Sequence, residues 1–184
     1  MKRMLGLMGL LWVLLAAPAQ AALITFSASL DGAQEFPQSG QAAAGGFGSA
    51  SLIFDDVTNL LSWTINFNLN TGLATAAHFH GPTNDGDLAG PGIASPIRFS
   101  IPNIVEFSSG TAIGSFDLDN LTNPADNPAN LLSGLWYINI HTATFPTGEL
   151  RGQVLPVSEP GVLALFSLGL MLALGLGKHK KPAA

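Results

Sequence analysis

Residues 61–69 constrain the fold of this chain more than any other stretch. Leu61, Trp63, Ile65, Phe67 and Leu69 alternate strictly with Ser62, Thr64, Asn66 and Asn68. In an extended strand successive side chains leave opposite faces, so this spacing builds one apolar face and one wet face. Ile24, Phe26, Ala28 and Leu30 repeat the pattern against Thr25, Ser27 and Ser29. Further strands are expected at 46–55, 74–80, 95–101, 110–118, 134–142 and 148–155. Between them lie turn formers such as Asp31-Gly32, Asn70-Thr71-Gly72, Asp85-Gly86 and Pro146-Thr147-Gly148. No stretch of the middle carries a convincing helical period, and the Asn/Pro-rich segment 119–133 reads as a long loop. Seven or eight short antiparallel strands predict one all-β domain, a Greek-key sandwich or flattened barrel.

The two ends do not belong to that domain. Met1-Lys2-Arg3 precedes the uncharged run 4–17, which leads to Ala19-Gln20-Ala21. A basic start, a short apolar stretch and an Ala-x-Ala site predict a signal peptide over 1–21, cut by signal peptidase with Ala19 and Ala21 at the site. At the other end the uncharged run 161–177 is followed by Lys178-His179-Lys180-Lys181. That run is at the lower limit for a transmembrane helix, and the basic cluster would hold its end on the cytoplasmic side of the inner membrane. The tail 157–184 also resembles the PEP-CTERM sorting signal, with Glu159 and Pro160 in place and Ser158 where that signal has its first proline. The resemblance implies recognition and cutting by an exosortase-type enzyme, then transfer to the cell surface or extracellular matrix, a setting rich in polysaccharide. A plain single-pass anchor is the alternative.

Charge narrows the function. Between residues 22 and 158 there is no lysine; Arg98 and Arg151 stand against eleven acids, for a formal charge of −9. Nucleic acid is excluded as a partner, because binding it needs a basic patch. The absence of cysteine rules out disulfides, a thiolate nucleophile and a thiolate metal site. No Gly-x-Ser-x-Gly elbow or nucleotide loop is present, and no catalytic residue is assigned.

Three ordered segments carry a second resemblance. They are Leu30-Asp31-Gly32-Ala33-Gln34-Glu35-Phe36-Pro37, then Ala76-Ala77-His78-Phe79-His80-Gly81-Pro82, then Tyr137-Ile138-Asn139-Ile140-His141-Thr142 leading to Gly148-Glu149-Leu150-Arg151-Gly152-Gln153. Together they resemble the CHRD domain named from chordin, over the domain taken here as 22–156. The resemblance implies an immunoglobulin-like or dismutase-like β-sandwich and says little about activity. The growth-factor binding of chordin is not carried over.

Strand geometry makes the histidines informative. His78 and His80 project from one face of their strand, opposite Ala77 and Phe79. Tyr137, Asn139 and His141 share one face of the closing strand, opposite Trp136, Ile138 and Ile140. Two imidazoles from His-x-His and a third from a distant strand suit copper or zinc, with Glu149 as a fourth ligand or as an acceptor behind one. A metal-free hydrogen-bonded network is the competing reading. Arg151 is expected to pair with Glu35 or Glu149. Asn84-Asp85-Gly86-Asp87 has oxygen ligands for calcium but no downstream glutamate, which favours a solvated turn. The domain is therefore read as an exported, non-catalytic binding or structural module, with a copper- or zinc-binding protein, redox-active in a dismutase-like way, as the alternative.

Overall fold

A computed structural model describes residues 22–36, 40–82, 94–122, 127–158 and 169 of the chain. The expectations over 1–21, 84–87 and 159–184 lie outside those residues, Gly169 apart. Among the described residues no helix is long and apolar enough to cross a membrane.

The alternating segments form strands where their spacing places them. They are β1 (Leu23–Asp31), β2 (Phe47–Asp55), β3 (Leu60–Asn68), β4 (Ala74–His80), β5 (Ile97–Ser100), β6 (Ser109–Asp117), β7 (Tyr137–Thr142), β8 (Leu150–Gln153) and the two-residue β9 (Leu155–Pro156). In β3, Leu61, Trp63, Ile65 and Phe67 are buried, while Ser62, Thr64 and Asn66 lie on the outer side. Burial of that apolar face is the main stabilising term for such a strand.

All strands join one antiparallel sheet in the order β5-β4-β7-β8-β1-β2-β3-β6, with β9 paired to β1. The expected sandwich of two sheets is realised as one sheet curled on itself into a half-barrel. The curl falls at β8–β1, where pairing narrows to the single register Asp31↔Arg151. The β5-β4-β7-β8 half then faces the β1-β2-β3-β6 half. Trp63 of β3 meets Phe79 of β4 edge-on at 5.2 Å, and Phe99 of β5 stacks on Phe116 of β6 at 4.4 Å. At one end the connection between β5 and β6 is tied to β4, through Ala74 N to Phe107 O (2.9 Å) and Glu106 N to Ala74 O (2.8 Å).

The expectation of no helix, and of a plain loop over 119–133, is corrected in two places. Helix α1 (Gln41–Ala44) is bracketed by Gly40 and Gly45, both at positive φ (103° and 74°). Helix α2 (Pro128–Leu132) lies inside the Asn/Pro-rich segment, and a 3₁₀ turn spans Leu118–Asn120. The side chain of Asn127 accepts from Ala129 N at 2.9 Å and Pro128 takes the first turn. That pair favours a helix start, but a five-residue helix is too short to display a period. Leu131 secures it by burying itself in the core.

Candidate metal centre

Strands β4 and β7 are neighbours, although 56 residues separate the end of one from the start of the other. Their register sets His80 against Tyr137, His78 against Asn139 and Ala76 against His141. The three histidines thus fall on the same face at diagonal positions, as the period of two requires. One ring nitrogen from each lies within 4.8 Å of the other two, with His80 buried and His78 and His141 half-buried. Among the described residues this is the one group of histidine and carboxylate side chains arranged to hold an ion.

Hydrogen bonds fix the tautomers. His80 Nδ1 lies 2.6 Å from Ser95 O, and His141 Nδ1 lies 3.0 Å from Pro146 O. A carbonyl only accepts, so each Nδ1 carries the proton and each Nε2 presents a lone pair. His80 Nε2 is buried and finds no hydrogen-bond partner among the described residues. His78 Nδ1 faces His141 Nε2 at 3.1 Å. Two nitrogens sharing one ion at about 2.0–2.1 Å each sit only slightly farther apart than this. Backbone carbonyls holding the outer N–H of ligand histidines are the usual support of imidazole metal sites.

The electrostatics keep the rings neutral. Burial pushes His80 down to about 4, against the smaller upward pull of its bond to Ser95; His78, His141 and Arg151 push further in the same direction. His78 is lowered by burial, and His141 by burial and then by the neighbouring His78. Neutral imidazole is the form that ligates.

Behind His80 stands a planar stack. The Tyr137 ring lies 4.7 Å from the His80 ring at an interplanar angle of 5°, and Arg151 Cζ lies 3.6 Å from the Tyr137 centroid. Tyr137 Oη accepts from Ser95 N at 2.9 Å, which ties the tyrosine to the residue that orients His80. Both Tyr137 and Arg151 are buried.

The remaining predicted residues take other places. Glu149 stays out of the histidine group. Its carboxylate accepts from Asn70 N at 2.8 Å and from Thr71 Oγ1, so it holds the turn after β3. Glu35 accepts from Asn139 Nδ2 at 3.4 Å and interacts with the Arg151 charge. Ser158 is exposed, while Ala19, Ala21, Glu159 and Pro160 are outside the described residues. Sequence reasoning put Tyr137 and Asn139 on the histidine face but missed Ser95 and Pro146. Both act through backbone carbonyls, which leave no mark on residue identity.

A family model describing the CHRD domain matches residues 26–154. No curated protein and no solved structure matches the chain.

Proposed function

The chain belongs to the CHRD domain family, and from that premise we propose that it is an exported, non-catalytic binding module whose His78, His80 and His141 hold one copper or zinc ion. The observation that carries this reading is His80. Its Nδ1–H is committed to Ser95 O while its buried Nε2 lacks a hydrogen bond among the described residues. A bare buried acceptor costs about 1–3 kcal/mol, a penalty that ligation removes. The competing metal-free network satisfies His78 and His141 through each other but leaves His80 Nε2 unsatisfied. The strand order, with β4 beside β7 and β3 beside β6, supports a Greek-key, dismutase-like path through the curled sheet.

Metal analysis of the full chain after reconstitution tests the reading. The expected result is one copper or zinc per chain, with a loss of at least roughly 100-fold in affinity in the His78→Ala/His80→Ala double variant. No stoichiometric ion in the unaltered protein would sink it. Turnover of superoxide by the metal-loaded protein would replace the non-catalytic module with the redox reading.

The destination is part of the same proposal. A signal peptide over 1–21 and a PEP-CTERM-like tail over 157–184 deliver the domain across the inner membrane to the surface or matrix. There its acidic, lysine-free character keeps it soluble beside polysaccharide. Mass spectrometry of surface protein is expected to find a C-terminus at or before Pro160. Recovery of an intact 178–184 peptide from mature protein would show permanent anchoring instead.

A further inference from the structure

We propose that this site selects copper in the cuprous state over cupric copper and zinc, and that Arg151, stacked behind His80 through the ring of Tyr137, sets the preference. The assignment rests on reading the three histidines as metal ligands, and concerns which ion they take.

Three features converge on it. The first is the charge of the ligand set. The group consists of three imidazoles and, among the described residues, no carboxylate joins it; Glu149 is committed to Asn70 and Thr71. Nothing in the ligand set offsets the charge of the ion. In a partly dry site the solvation cost grows with the square of that charge, so a dication is penalised about four times as much as a monocation.

The second is a cation already in place. Arg151 is 1% exposed and keeps its charge at any ordinary pH. Tyr137 of β7 stands between His80 of β4 and Arg151 of β8, with the ring 4.7 Å from His80 on one contact and 3.6 Å from Arg151 Cζ on the other. The charge of Arg151 bears on His80 in the same sense as the other two histidines do. An ion bonded to His80 feels that repulsion too, and feels it in proportion to its own charge. Glu35 interacts with Arg151 as well.

The third is coordination number. Zinc held by three protein nitrogens must complete its four with a water, and cupric copper its tetragonal set with at least one ligand from solvent. Cuprous copper is content with two or three nitrogen donors, and the described residues offer three.

The experiment is anaerobic competition for the full chain, against bicinchoninate for Cu⁺ and against chelators of known affinity for Cu²⁺ and Zn²⁺. The expected result is one Cu⁺ per chain, held at least roughly 100-fold more tightly than either dication. In Arg151→Gln the preference for Cu⁺ over Cu²⁺ is expected to narrow about tenfold, read as a fall of about 59 mV in the reduction potential of the bound copper. Arg151→Lys keeps the charge and is expected to hold the potential near its unaltered value. If neither variant folds, the three affinities of the unaltered chain decide alone. Zn²⁺ or Cu²⁺ bound as tightly as Cu⁺ overturns the selection. An unchanged potential in a folded Arg151→Gln protein overturns the role given to Arg151. Failure to bind any of the three ions overturns the metal reading itself, a separable result.

Discussion

Gly148→Ala is expected to destabilise the domain by about 3–5 kcal/mol, a large share of the roughly 5–15 kcal/mol that holds a domain of this size together. Gly148 sits in the turn between β7 and β8, where its N–H reaches Phe145 O at 3.0 Å with φ at 130°. An L side chain rarely adopts that backbone. A Cβ there would also run into Asn139 Oδ1 and Glu35 Oε1, with Asn139 Nδ2 only 2.7 Å away. Those atoms are buried and cannot swing into solvent, so strain and overpacking add. Urea denaturation of the variant checks this. A midpoint corresponding to a loss of less than about 1 kcal/mol would mean that Glu35 and Asn139 have room to retreat.

The same pocket predicts a pH effect. Burial pushes the Glu35 carboxyl up from 4.5 to about 7, against the smaller downward pull of Arg151, Asn139 and the Phe36 backbone. The folded chain then holds this proton more tightly than the unfolded one. Its contribution to stability is full below about pH 4.5 and is lost as pH rises to about 7. The gap is worth about 3 kcal/mol. His80 runs the other way, because its value is lowered from 6.5 to about 4. Its contribution is present above pH 6.5 and is lost on acidification through that window. The two slopes oppose each other between about pH 4.5 and 6.5, which flattens the profile of the unaltered protein. Glu35→Gln removes one slope and places an amide where the carboxyl must otherwise ionise. The variant is expected to match the parent near pH 4.5 and to exceed it by about 3 kcal/mol at pH 8. Denaturation midpoints at pH 4.5, 6 and 8 measure this; equal stability at pH 8 would refute it.

The fold was legible in the sequence wherever one face of a strand is dry and the other wet. Leu61 to Leu69 and Ile24 to Leu30 announce β3 and β1 because only the inward positions are apolar. Strand β8, Leu150–Gln153, is buried along its whole length, yet Arg151 and Gln153 give it no apolar run. Turn signals and motif mark it, and periodicity does not. Helix α2 escaped notice because its five residues make scarcely more than one turn. At the site, the face shared by His78 and His80 follows from spacing alone. Their meeting with His141 depends on the β4–β7 register, a long-range pairing that no local pattern specifies. Glu149 was drawn toward the ion by its charge and its place in a motif. Its true partners, Asn70 N and Thr71, lie 79 and 78 residues away in the chain.

The placement of the two arginines has a consequence outside binding. Proteases that cut after basic residues need a segment they can draw out into an extended, accessible form. Between residues 22 and 158 the chain offers them two such bonds, and both lie inside strands. Arg98 sits in β5 with its guanidinium on the carbonyls of Gly81 and Pro82. Arg151 is buried in β8 beneath the Tyr137 ring. Cutting by this whole class of enzyme therefore waits for the sheet to open, and its rate reports how often β5 or β8 comes loose. A domain stripped of lysine gains a durability against such enzymes that does not depend on disulfides.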